Sequence, residues 1–288
     1  MGDSVVEVVS DITEMSRLCR EKRNNGKIIG LVPTMGALHE GHLSLIRHAL
    51  EKADYVVVSI YVNPTQFGPE EDLKLYPRDI EGDIHKVDAQ GAHAIFAPES
   101  EAMYPPGYST FVTVEGLTEG LCGRSRPHHF KGVTTIVIKL FSIINPHIAV
   151  FGQKDAQQLA VIRKMVRDLN MDIEIDAVPT VRESDGLAMS SRNYYLNSEE
   201  REQAPVLYKS LMEAKKLVST GVINAAQIKR KVSEVIEGAA LAKIDYIEIV
   251  DIHDMTPVDT VSERALLAIA VRFGATRIID NTIIEGRV

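Results

Sequence analysis

Up to about Val181, short apolar runs along the chain alternate with segments whose apolar positions recur at helical spacing. The runs "KIIGLVPT", "YVVVSIYV" and "HAIFAP" are β-branched or aromatic-rich and bounded by turn residues, as buried parallel strands are. Between them, "GHLSLIRHALEKA" sets Leu43, Ile46 and Leu50 on one helical face, and "PRDIEGDIHKVDAQG" closes on Gly91. A further unit runs from "HIAVFG" through "KDAQQLAVIRKMVRDLN" to "DIEIDAVPT". Its helix is marked by Leu159, Ile162, Val166 and Leu169, with Asn170 as C-cap. Strand and helix alternating in this way predict an α/β fold with a Rossmann-like, doubly wound parallel sheet.

Beyond Val181 the texture changes. "NSEEREQAPVLYKSLMEAKKLVSTG" reads as one helix, with Asn197 or Ser198 as N-cap and Gly221 past its end. A second helix is expected at about 225–237, then the strands "IDYIEIVD", "ALLAIAVRF" and "TRIID" with no long helix between them. This predicts two domains: a Rossmann-like one over 1–182 and a smaller α+β one over 183–288.

Composition narrows the function classes. The chain has 288 residues, 45% of them hydrophobic, and a formal net charge of -8, so it lacks the electrostatic attraction a nucleic-acid or anionic-membrane binder relies on. An anionic ligand therefore needs a local cluster of donors. Cys19 and Cys122 are the only cysteines, too few for a disulfide framework, and point to a reducing, cytoplasmic setting. The opening "MGDSVVEVVS" lacks a signal-peptide pattern, and Val6 stands where a myristoylation signal beginning Met1-Gly2 wants Ser or Thr.

Five segments offer chemistry. In "VPTMGALHEGH" the glycines Gly36 and Gly41 permit close backbone approach, and His39 and His42 fall one helical turn apart at the end of a strand. Such imidazoles either cap the helix or donate to phosphate oxygens; the zinc pattern HExxH is not met. In "SIYVNPTQF", Asn63 and Gln66 follow a strand, and Gln66 suits a small polar substrate, although Asn-Pro is also a common turn starter. In "FGQKDAQQL", Gly152, Gln153, Lys154 and Asp155 open a helix, with Gln158 one turn on. Lys154 there opposes the helix dipole unless an anion is present; alternatively Asp155 caps the helix and Lys154 is solvated. "VRESDGLAMSSRN" supplies Ser190, Ser191 and Arg192 in a loop suited to phosphate oxygens. "CGRSRPHHFKGV" is a basic island in which Arg126 can meet an anion, while His128 and His129, adjacent in an extended segment, make a poor metal pair. Neither a P-loop nor a strand-linked G-x-G-x-x-G is present.

Taken together, "PTMGALHEGH", "VNPTQFGPEEDLKLYPRD", "GRSRPHHFKGV", "FGQKDAQQL" and "PTVRESDGLAMSSRNYYL" closely resemble the pantothenate synthetases, or pantoate–β-alanine ligases. The first also resembles the HIGH signature of the adenylate-forming nucleotidyltransferases, and "MSSR" their KMSKS-type loop. The resemblance implies that pantoate, ATP and β-alanine are converted to pantothenate, AMP and pyrophosphate through pantoyl adenylate, with Mg²⁺ carried on the nucleotide. It implies an ATP site of Met35, Gly36, Ala37, Leu38, His39, Glu40, Gly41, His42, Gly152, Gln153, Lys154, Asp155, Val181, Met189, Ser190, Ser191 and Arg192. His42, His39, Lys154 and Arg192 would be catalytic, and Gln66, Gln158, Asn63 and Arg126 would bind the substrates, the two glutamines holding pantoate and Gln66 also bordering the β-alanine site. It also implies a homodimer and a smaller domain that closes over the site. Where the family usually reads RPGHF, this chain has His128 in place of the glycine. The competing readings are another nucleotidyltransferase of the HIGH superfamily and a non-catalytic nucleotide-binding module. The acidic balance speaks against a tRNA partner, and the joint presence of His39, His42, Lys154 and Arg192 against silence.

Overall fold

The computed structural model describes residues 6–69 and 71–286; the Met1-Gly2 reading lies outside the described residues. The chain forms two compact units: Met1–Glu115, Arg126–Gln153 and Val161–Pro179 make the first, and Gly116–Ser125, Lys154–Ala160 and Thr180–Val288 the second.

The first unit is built on the strands β1 (Glu7–Val9), β2 (Ile29–Thr34), β3 (Tyr55–Ile60), β4 (Ala94–Phe96), β5 (Ile148–Gly152) and β6 (Glu174–Val178). They form one parallel sheet in the order β1-β4-β3-β2-β5-β6. Its helices are α1 (Ile12–Asn24), α2 (Glu40–Lys52), α3 (Ile80–Gln90) and the short α4 (Ser100–Met103). After α5 (Leu121–Ser125), which belongs to the second unit, comes α6 (His129–Ile144). The next helix, α7 (Ala156–Asp168), crosses the division between the units. Val56, Val57 and Val58 are consecutive in β3 and all fully buried, so both faces of the sheet are covered, as a parallel sheet requires. Ile46 and Ala49 of α2 close the core over β2 and β3. From β2 the chain steps outward through β3 to β4 and then returns to lay β5 on the other side of β2. That reversal is the topological switch point, where a crevice for ligands opens beyond the strand ends. Met35–His42 follows β2, and Gln153 follows β5.

In the second unit, α8 (Ser198–Gln203), α9 (Val206–Ser219) and α10 (Ala225–Glu237) precede the antiparallel strands β7 (Ala242–Asp251), β8 (Arg264–Phe273) and β9 (Thr276–Glu285), ordered β7-β8-β9. Alternate residues of β8, Leu267, Ile269, Val271 and Phe273, form a core with Leu207, Leu211, Ala214 and Val218 of α9 and Ile228, Val232 and Ile236 of α10. The period is two along the strand and about 3.6 along the helices, the condition for one shared apolar layer.

Three expectations need correction. The single helix expected from Asn197 is two, because Pro205 cannot donate the N–H that would continue α8; Asn197 does cap α8, in a reciprocal box with Glu200. Leu169 is not on the buried face of α7. The helix ends at Asp168 and Leu169 lies half exposed, while Asn170, at φ +51°, ends the turn with Met171 N–H donating to Val166 O at 2.9 Å. The "RPHHF" segment is not extended: His128 is helical in backbone and His129 begins α6, so the alternation argument does not apply to this pair. α6 is rich in Val, Ile and Thr, so its propensity does not mark it as a helix, and its polar face is a stripe of Lys131, Lys139 and Ser142.

The far end of α2 is tied to the sheet by Asp176 of β6, which accepts from His48 Nε2 at 2.9 Å and from Lys52 Nζ at 2.6 Å. Burial raises the Asp176 pKa, but the hydrogen bonds from Lys52 and His48 outweigh it and hold the carboxyl below its ordinary value. This link contributes stability above about pH 4, where the unfolded carboxyl is ionised, and loses it as pH falls through the lowered folded value. Asp176→Asn should therefore be less stable than the parent at neutral pH, with the gap in urea midpoint closing toward about pH 3. A gap that does not vary with pH would show that the charge of Asp176 does not hold α2.

Candidate active site

The turn from β2 into α2 has an unusual backbone: Gly36 lies at φ +79° and Ala37 at +51°. A non-glycine residue rarely adopts that region unless its surroundings enforce it. The enforcing group is Asp83 of α3, whose carboxylate accepts from Ala37 N at 2.7 Å and Leu38 N at 2.8 Å. Lys86, one turn on, donates to Leu38 O at 3.0 Å. A Cβ at residue 36 would sit 2.9 Å from Asp83 Oδ2, so the close approach needs Gly36. Asp83 is 1% exposed, and burial raises its pKa against the lowering effect of the two backbone N–H groups.

His39 is the N-cap of α2. Its Nδ1 accepts from Gly41 N at 3.2 Å, and His42 Nδ1 accepts from His39 N at 3.3 Å, so the two imidazoles form a reciprocal capping box. Their ring centroids are 4.1 Å apart. A neutral imidazole that accepts at Nδ1 carries its proton on Nε2. The cap and the phosphate-donor readings are therefore compatible: capping consumes Nδ1 of each ring and makes Nε2 the donor, next to a helix N-terminus that favours negative charge.

Beside this turn stands the 3₁₀ turn Pro64–Gln66 that follows β3. Asn63 Nδ2 donates to Gln66 Oε1 at 3.0 Å and to Gly132 O of α6 at 3.1 Å, and Gln66 Nε2 donates to Met35 Sδ at 2.9 Å. The first two motifs thus meet. Arg126 is engaged within the same unit: its guanidinium reaches both oxygens of Glu71, at 2.7 and 2.5 Å, and Gln66 O at 3.3 Å. Burial raises the Glu71 pKa, but Arg126 outweighs it and keeps the carboxyl ionised below its ordinary range. His129 Nδ1 lies 2.9 Å from Gln66 O.

In the second unit, Lys154 and the "MSSR" segment are fixed to neighbouring residues of β9. Asn281 Nδ2 donates to Lys154 O at 2.8 Å, while the 2% exposed Asp280 pairs with Arg182 at 2.6 and 3.0 Å. Arg182 also holds Gly186 O at 3.0 Å and lies over the Tyr208 ring at 4.5 Å. Met189 N donates to Val181 O at 3.0 Å, and Asn193 to Glu183 at 2.9 Å. Ser190 caps the 3₁₀ turn Ser191–Tyr195 by accepting from Arg192 N at 3.2 Å. Ser190, Arg192, Lys154 and Gln158 are partly exposed, Asp155 is exposed, and Ser191 is buried. Gly152 ends β5. Gln157, the neighbour of Gln158, is buried; it accepts from Cys122 N at 3.0 Å and donates to Leu117 O and Gly120 O.

Sequence reasoning passed over Asp83, Tyr104, Gln157, Asp280 and Asn281. Each acts on the backbone, amide or guanidinium of a motif residue far away in sequence, so spacing carries no trace of it. Gly132 shows how tight the support is: a Cβ there would lie 2.3 Å from Thr65 O and 2.5 Å from Gln66 N. Gly132→Ala should destabilise the chain by about 1–3 kcal/mol in chemical denaturation, as an overpacked contact against backbone does. A stability equal to the parent's would refute that contact. Asp83→Asn keeps the shape but turns one acceptor into a donor facing an N–H, and should cost about 1–3 kcal/mol; unchanged stability would show that the turn holds without it.

The chain matches the family model described as pantoate-beta-alanine ligase over residues 7–283. It is 55% identical to a protein of Acetivibrio thermocellus named pantothenate synthetase, over 97% of this chain and all of that one. Its structure resembles the crystal structure of pantothenate synthetase from Thermus thermophilus, with a TM-score of 0.92, 43% identity and coverage of 96% of this chain and 99% of that one. It also resembles the pantoate-beta-alanine ligase of Francisella tularensis complexed with beta-gamma ATP and beta-alanine, with a TM-score of 0.80, 32% identity and coverage of 96% and 97%. A match from residue 7 to residue 283, backed by relatives of this identity and fold, means that the chain belongs to the pantoate–β-alanine ligase family.

Proposed function

We propose that the chain condenses pantoate with β-alanine, using MgATP and releasing AMP and pyrophosphate. A carboxylate oxygen of pantoate attacks the α-phosphorus of ATP; the new oxygen–phosphorus bond forms as the bond to the β-phosphate oxygen breaks, and pyrophosphate leaves. The amine of β-alanine then attacks the acyl carbon of pantoyl adenylate. AMP departs with the electron pair of the carbon–oxygen bond, and the nitrogen gives up its proton as the amide forms.

Neither step needs a nucleophile from the enzyme. Both need reactants held in line and donors aimed at phosphate charge. The observation that carries this reading is the reciprocal imidazole cap: His39 and His42 spend Nδ1 on the helix, which makes Nε2–H of each a fixed donor at the switch point. In this reading the backbone of Met35–His42, Gly152, Gln153, Asp155, Val181 and Met189 borders ATP, and Lys154, Ser190, Ser191 and Arg192 contact its phosphates. Gln66 and Gln158 hold pantoate, with Asn63 positioning Gln66. Arg126, paired with Glu71, supports the substrate pocket through Gln66 O. Mg²⁺ enters with the nucleotide and neutralises charge on its phosphates. The smaller domain closes over the bound substrates, and the enzyme acts as a cytoplasmic homodimer. Among the described residues no helix is long and apolar enough to cross a membrane.

AMP release from ATP and Mg²⁺ should require both pantoate and β-alanine; release that ignores either would sink the assignment. His42→Ala and Lys154→Ala should each slow adenylate formation by about a hundredfold or more, the usual effect of losing one preorganised donor, with the fold intact. Single-turnover rates within about threefold of the parent would rule out those roles.

A further inference from the structure

We propose that Tyr104 is a positioning residue that, through Asn63, holds Gln66 as a hydrogen-bond donor, so that the substrate group read there is an oxygen acceptor. The inference rests on the reading of Gln66 as a pantoate contact.

Asn63 is 1% exposed and its amide is saturated. Oδ1 accepts from Tyr104 OH at 2.9 Å and from Thr65 Oγ1 at 2.9 Å, while Nδ2 donates to Gly132 O at 3.1 Å and to Gln66 Oε1 at 3.0 Å. The orientation of the amide is settled by its partners. Gly132 O can only accept, so Nδ2 must face it, and Oδ1 is left to the two hydroxyls. Gln66 Oε1 is then committed to Asn63, and Nε2 becomes the face of the side chain turned toward the β2–α2 turn. There it meets Met35 Sδ at 2.9 Å. A thioether is a weak acceptor, so a carboxylate or hydroxyl oxygen displaces it with gain, whereas an ammonium or amide N–H would face a donor.

Tyr104 is held by its ring. It stacks edge-on with Tyr108 at 5.0 Å, which stacks edge-on with Phe111 at 5.4 Å, and Lys139 Nζ lies 5.6 and 4.7 Å from the rings of Tyr104 and Tyr108. Burial pushes the Tyr104 phenol up to about 12, so it keeps its proton and remains a donor throughout the neutral range. The phenylalanine variant keeps the ring and removes only the hydroxyl.

The test is steady-state kinetics of the full chain with pantoate and ATP varied in turn. Tyr104→Phe should raise the pantoate KM by about fivefold to tenfold, the effect of one lost hydrogen bond, with kcat and the ATP KM within about twofold of the parent. Thr65→Val removes the other donor to Asn63 Oδ1 and should shift the pantoate KM in the same direction, whereas Thr65→Ser, which keeps the hydroxyl, should not. A pantoate KM within about twofold of the parent in both Tyr104→Phe and Thr65→Val overturns the inference, and so does an equal loss across kcat and both KM values. Should Tyr104→Phe fail to fold, Thr65→Val against Thr65→Ser decides alone. Gln66→Leu separates the two levels. If it leaves the pantoate KM unchanged, the reading of Gln66 fails and this inference with it; if it raises the KM while the other variants do not, only the role of Tyr104 and Thr65 fails.

Discussion

The strand–helix turn of the first unit depends on one carboxylate. Asp83 receives two successive backbone N–H groups, and that pair of bonds holds Ala37 in a left-handed conformation it would not choose alone. The strand–helix turn is thereby given its path before either histidine takes part. His39 and His42 then close the helix terminus on each other. A capping box usually joins a hydroxyl to a carboxylate; here two imidazoles satisfy the same N–H groups through Nδ1 of each ring.

Most of the architecture was legible in the sequence because it rests on periodicity. The valines of β3 and the unbroken apolar run of β8 announce buried strands, and the α2 and α7 patterns announce helices. Where reading failed, a local or tertiary effect overrode the pattern. Pro205 divides a continuous amphipathic stretch into α8 and α9, and α6 is rich in Val, Ile and Thr, which have low helix propensity. The candidate site residues are conspicuous in the sequence, since histidines and glutamines just after strands and an Arg beside paired serines are sparse. Their supports are not. Asp83, Gln157, Asp280 and Tyr104 carry no signal of their roles in their sequence neighbourhoods, and only folding brings each to its distant partner. Spacing arguments see neighbours along the chain, and these are contacts across it.

The two polar networks of the first unit share a device. At Asn63 a buried amide uses its full hydrogen-bonding capacity on fixed partners, and at Asp83 each carboxylate oxygen accepts from a fixed backbone N–H, so the orientation of both is decided by the chain rather than by what binds. Buried polar groups are stabilising only when so satisfied, and their rigidity follows from the same condition. A site assembled from such groups meets its ligand with little reordering left to do.

In the second unit, Asp280 and Asn281 are consecutive in β9, and consecutive strand residues point to opposite faces of the sheet. One secures Arg182 at the base of the serine-rich segment, and the other the carbonyl of Lys154. The two segments are far apart in sequence, yet both take their coordinates from a single step of backbone. A slip of β9 by one register position would exchange its two faces and strip both anchors together. Evolution therefore cannot tune one segment through this strand while leaving the other alone: the last strand of the fold behaves as a common ruler, and the pairing of β9 with β8 is what keeps it from sliding.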